Sequence, residues 1–106
     1  MSASCWPQVE ALQGRTLQTV ARHKAFTVDR ITYAHVELTV HDGGRTRILC
    51  RKDLEPFYDQ LVRHGVLTVR ELKTVYTFNI SLAAALLAAL PSVTATPQPI
   101  TLHYKP

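Results

Sequence analysis

A chain of 106 residues, 46% hydrophobic and 19% charged, has the size and composition of one folded domain and lies outside the regime that keeps chains disordered. Its net charge of +4 and pI near 9.4 favour an anionic partner, though an excess this moderate serves equally as a solubility device. Two cysteines, Cys5 and Cys50, are too few for a small secreted disulfide scaffold, so reduced thiols are expected.

The segment from Met1 to Glu10 shows no basic stretch followed by an apolar one, and no secretory signal is expected. The most apolar run, residues 80 to 90, is shorter than the roughly 20 residues a membrane helix needs. A cytoplasmic location and no membrane partner follow as expectations.

In chain order, Pro7 to Leu12 predicts a short helix, with Pro near its start and Gly14 after its end. Residues 15 to 24 read equally as helix or strand. From Phe26 the period becomes two: Phe26 and Val28, then Val36, Leu38 and Val40, alternate with polar residues. His41-Asp42-Gly43-Gly44 supplies a tight turn, and Thr46, Ile48 and Cys50 are expected to continue the inward face. The result is a three-stranded antiparallel meander over 26 to 32, 35 to 41 and 45 to 50.

Leu54, Phe57, Tyr58, Leu61 and Val62 recur at helical spacing, with Asp53 and Glu55 in the first turn, Arg63 and His64 in the last, and Gly65 as the stop. Thr68-Val69-Arg70-Glu71 reads as a capping box opening a second helix with Leu72, Val75 and Tyr76 on its apolar side. Asn79 or Ser81 is expected to cap a third, through Leu82, Leu86, Leu87 and Leu90, that ends at Pro91. The predicted fold class is therefore α+β: a three-stranded meander followed by three helices, at its nearest winged-helix-like. Residues 1 to 93 form the domain and 94 to 106 an extended or mobile tail, in which Ile100, Leu102 and Tyr104 suit a short edge strand.

The rhythm of sheet, helix, turn and helix evokes a DNA reader, but the third helix has one hydroxyl and no amide or cation with which to read a base. Its alanines and leucines suit burial or a homodimer seam instead. Cations concentrate elsewhere. Residues 15 to 24 and 45 to 52 contain no Asp or Glu and hold seven of the twelve Lys and Arg residues. With Ile48 and Cys50 inward, Arg45 and Arg47 are expected on the wet face, followed by Arg51 and Lys52.

The five histidines show no metal-ligand spacing, and phosphate loops, nucleophile elbows and paired carboxylates are missing. No metal, cofactor or enzymatic activity is expected. Cys50, read as inward, is expected to be an inert small hydrophobe protected from alkylation.

Phe26-Thr27-Val28, Arg47-Ile48-Leu49, Asp53-Leu54-Glu55, Leu67-Thr68-x-x-Glu71-Leu72 and Ala84 to Pro91, in this order, give the chain a resemblance to small uncharacterised bacterial domains, some of which accompany restriction-type or mobile-element proteins. The resemblance spans about residues 14 to 93 and rests on apolar positions and caps, so it implies a fold and carries over no functional residue.

The expected function is a non-enzymatic bacterial accessory or regulatory domain that binds DNA or RNA. Arg22, Lys24, Arg45, Arg47, Arg51 and Lys52 contact phosphates, and Arg70 or Lys73 adds to that face. The rival expectation is a protein-interaction or homodimer module assembling through helix 80–90.

Overall fold

Alternating apolar residues need a partner strand on each side and a cover on one face, and the computed structural model provides both; it describes residues 5–68, 80–97 and 100–105. Strands β1 (Thr16–Gln18), β2 (Ala25–Ile31), β3 (His35–Val40) and β4 (Arg45–Cys50) form one antiparallel sheet in that order. The expected meander is present and gains β1, from the stretch that read both ways. Gly43 and Gly44, at φ of +88° and +61°, make the turn into β4 that the sequence predicts.

The inward face of β4 differs from expectation. Val36 pairs with Leu49, Leu38 with Arg47 and Val40 with Arg45, so it is Leu49 that joins the core while Ile48 stays 54% exposed. The turn sets this parity, because closing Val40 against Arg45 puts odd-numbered residues of β4 on the covered face. Thr46, Ile48 and Cys50 therefore lie on the outer face, with Thr39, Glu37 and His35 as their register partners. In β2 a bulge between Val28 and Arg30 shifts the register, so that Phe26, Val28 and then Ile31 face inward.

Three helices are described. Helix α1 (Trp6–Glu10) is tied to the sheet by Trp6, whose indole N–H donates to the Thr32 carbonyl at 3.0 Å. Helix α2 (Arg51–His64) buries Leu54, Phe57, Tyr58 and Leu61, the stripe its sequence predicts, and leaves Val62 half-buried. It ends as expected at Gly65, whose φ of +78° fits a residue without Cβ and whose N–H donates to the Leu61 carbonyl at 2.7 Å. Pro56 lies inside α2 on its exposed side, where it omits one helical hydrogen bond.

Helix α3 (Ile80–Ala88) is buried along its whole middle, from Leu82 to Leu87. It packs against β1 of the first sheet and against the strand Val93–Thr96 of a second. The Ala/Leu surface considered for a homodimer seam is thus covered by the chain's own core. Ser81 lies within the helix, and Asn79 and the second predicted helix, with Arg70 and Lys73, fall outside the described residues; Thr68 itself ends a strand.

That second sheet was not expected. Strands β5 (Val66–Thr68), β6 (Val93–Thr96) and β7 (Thr101–Tyr104) pair antiparallel in the order β5-β7-β6. Within the expected tail, the end of β6 and all of β7 are extended, as the alternation suggests, but β7 is the central strand rather than an edge, and Leu102 is fully buried. Tyr104 meets Tyr58 edge-on, with ring centroids 6.0 Å apart, so α2 and the second sheet share packing. One apolar cluster runs from Cys5 through both sheets to Leu102. Among the described residues no helix is long and apolar enough to cross a membrane.

Candidate functional site

Strand β4 lies at an open edge of the first sheet. Contrary to expectation, Arg45 and Arg47 project from the face that carries Leu38 and Val40, not from the outer one. The helices leave that corner uncovered: Arg45 is exposed and Arg47 half-buried. Among the described residues neither pairs with a carboxylate, and the Arg47 guanidinium donates only to the Thr46 carbonyl, at 3.2 Å.

Arg22 and Lys24 arrive from the turn between β1 and β2. Thr19, almost fully buried, shapes that turn: its carbonyl accepts from His23 N–H at 3.0 Å and its hydroxyl from Lys24 N–H at 2.9 Å. His23 adopts φ +54°, which keeps the turn tight. The two cations thereby meet the arginines of β4. A cleft of about 350 Å³ is lined by Lys24, Val40, Asp42, Arg45 and Arg47, and an adjoining one of about 410 Å³ by Arg22, Lys24, Val40 and Ser81. Lys24 and Val40 belong to both. The one carboxylate in this group, Asp42, stands 3.7 Å from Lys24 and is largely exposed.

Arg51 and Lys52 belong elsewhere. They line a separate cleft of about 590 Å³ on the outer face, with Tyr33, His35, Ile48 and Cys50 among its walls. Arg51 is held on three sides: its Nε is 3.1 Å from Glu55 Oε1, and its guanidinium lies over the Trp6 and Tyr33 rings, at 5.2 and 4.6 Å from their centroids. Its charge is already matched, which argues against its expected role as a phosphate contact. Lys52 remains exposed.

Cys50 shares this cleft, half-buried on the outer face and opposite His35, rather than inward. Both His35 ring nitrogens are engaged, Nε2 with Glu37 Oε2 at 2.9 Å and Nδ1 with Thr32 Oγ1 at 3.1 Å. His41 Nε2 meets Thr27 Oγ1 at 2.7 Å. Neither imidazole is aimed at the thiol as a base would be. Among the described residues no cluster of three His, Cys, Asp or Glu side chains is placed to hold a metal.

Cys5 is the opposite case. Burial, reinforced by the nearby Glu55 carboxylate, pushes its thiol up from 9.0 to about 11. At pH 8 only on the order of one Cys5 in a thousand is thiolate. Iodoacetamide is therefore expected to modify Cys50 in the native protein and to spare Cys5, with peptide mass mapping as the readout; equal labelling of both would contradict the burial of Cys5. Because the folded state disfavours the Cys5 thiolate, its contribution to stability is intact below pH 9 and is lost as pH rises toward 11.

The fold and site together define a small α+β domain with an uncovered basic corner at one sheet edge. No family model matches the chain, nor does any curated protein or solved structure.

Proposed function

We propose that this chain is a non-enzymatic accessory or regulatory domain that binds nucleic acid through the corner formed by Arg22, Lys24, Arg45 and Arg47. The observation that carries the reading is the pair of β4 arginines without a carboxylate partner among the described residues, joined by Lys24 in one cleft and by Arg22 in the cleft adjoining it. Unmatched guanidinium groups held by backbone on a sheet edge suit phosphate, whose oxygens they engage in pairs. Such contacts position a polyanion without reading its sequence.

In a winged-helix arrangement the third helix would enter the major groove. Here Leu82 to Leu87 of α3 are buried, so in this reading the strand edge, rather than that helix, meets the phosphates. Bacterial origin and an association with restriction-type or mobile-element proteins belong to the same proposal.

Fluorescence anisotropy against a labelled oligonucleotide at two salt concentrations tests it. Binding is expected at low salt and weakens steeply as salt rises. Replacing both Arg45 and Arg47 with alanine is expected to weaken binding about tenfold or more and to lower the salt slope by about 2, one unit for each phosphate no longer neutralised. No change in anisotropy at low salt removes the proposal. A competing interaction module would instead reveal itself as association in sedimentation velocity without nucleic acid.

A further inference from the structure

Tyr33 is a large aromatic side chain left 82% exposed at the turn between β2 and β3. Its position is set, not accidental. The Thr32 hydroxyl oxygen accepts from the Ala34 and His35 N–H groups at 3.2 and 3.1 Å, closing the turn that presents it. Arg51 then holds it from two sides, since the guanidinium packs on the ring at 4.6 Å and donates to the Tyr33 carbonyl at 3.2 Å. Arg51 in turn is fixed by Glu55 and by the buried Trp6.

The ring borders the 590 Å³ cleft, whose walls also include Ile48, itself 54% exposed, the exposed cation Lys52 and Glu55, which is paired with Arg51. A flat apolar wall with a lysine at its rim is suited to a planar heterocycle attached to a phosphate. It lies on the outer face of the sheet, and Arg45 and Arg47, which project from the other face, are reached from it around the open edge of β4. The open edge of β4 thus separates a pair of cations on one face from an exposed ring beside the other.

The geometry points to single-stranded nucleic acid as the ligand class, with an unpaired base stacked on Tyr33, Lys52 on the neighbouring phosphate, and the Arg45–Arg47 corner holding the backbone where a flexible strand rounds the open edge of β4. This rests on the nucleic-acid reading above and narrows it. In a duplex both faces of every internal base are already stacked, so Tyr33 has nothing to take; in a single strand each base has a face to offer.

The test uses the full chain and a fluorescein-labelled DNA of roughly 15 nucleotides, the upper range of what one small domain covers, as a single strand and as a blunt duplex. The single strand is expected to bind about tenfold more tightly. Tyr33→Ala should lower single-strand affinity about tenfold and leave duplex affinity unchanged, whereas Tyr33→Phe retains the ring and the affinity. A matching circular-dichroism melt for Tyr33→Ala shows that the fold is intact. Equal affinity for both DNA forms, or a Tyr33→Ala variant that binds the single strand as wild type does, overturns the stacking inference. If both forms still depend on Arg45 and Arg47 in that outcome, the broader reading survives alone. If neither form binds at low salt, both fail together.

Discussion

Leu86→Ala is expected to destabilise the protein by about 3 kcal/mol, enough to remove a large share of the roughly 5–15 kcal/mol that holds a small domain together. Leu86 is fully buried in the middle of α3, on a helix whose neighbours Ala83, Ala84 and Leu87 are fully buried as well. Truncation there leaves a void that surrounding side chains, attached to strands of two sheets, cannot all move to fill. In urea the midpoint should fall by about 2 M with little change in slope. The converse substitution, Ala84→Leu, inserts volume where none is free and is expected to cost about 1–3 kcal/mol. If Leu86→Ala shifts the midpoint by only a few tenths of a molar, α3 is not the interior helix described. Should the loss depend on protein concentration, the helix is buried by a second copy instead.

Trp6→Ala is the second large effect, at about 4 kcal/mol. The ring is 2% exposed, its N–H is the tie between α1 and the Thr32 carbonyl, and its face supports Arg51. Loss of aromatic packing supplies about 3–5 kcal/mol, and the lost hydrogen bond lies within the same measurement. Trp6→Phe separates the two, because it keeps most of the ring and leaves the Thr32 carbonyl without its donor; about 1–2 kcal/mol is expected. Trp6 is the sole tryptophan, so loss of the wild-type fluorescence transition marks the variants, and far-ultraviolet circular dichroism supplies their melting curves. A Trp6→Ala melt within about 4 °C of wild type, equivalent to less than 1 kcal/mol, would mean that α1 contributes little to the fold. The same substitution loosens Arg51 and, through it, Tyr33, so it should also weaken single-strand binding.

Much of this architecture is readable from residue order wherever one local period dominates. The stripe of α2 and its Gly65 stop, and the turn at Gly43-Gly44, depend on neighbours within a few positions. Strand β1 and the second sheet do not: strands of three or four residues carry too little pattern and exist because distant partners, such as Leu67 and Leu102, pair. The parity of β4 was equally hidden. Ile48, Leu49 and Cys50 are all apolar, so alternation does not choose among them, and the choice falls to the register closed by Val40 and Arg45.

The candidate site follows the same division. Its cations are visible as two acid-free stretches, but their sorting is not. Arg22 and Lys24 join Arg45 and Arg47 only because β2 and β3 bring two turns to one corner, while Arg51 is drawn away by Glu55 and two rings. Tyr33 shows no periodicity that would single it out; its exposure and its guanidinium support are tertiary facts. An apolar helix such as α3 reads alike as a core or as an interface, and only the elements wrapped around it decide.

The order β5-β7-β6 has a consequence for synthesis. The strand that lies between the other two in space is the last of them to leave the ribosome, so β5 and β6 emerge before the one described strand that bonds to both. Throughout that interval the apolar sides of α3 lack part of their lid, and the nascent chain presents the surface that chaperones recognise. Thr101 to Tyr104 bonds to both flanks, so neither pairing of this sheet exists before that segment has been made.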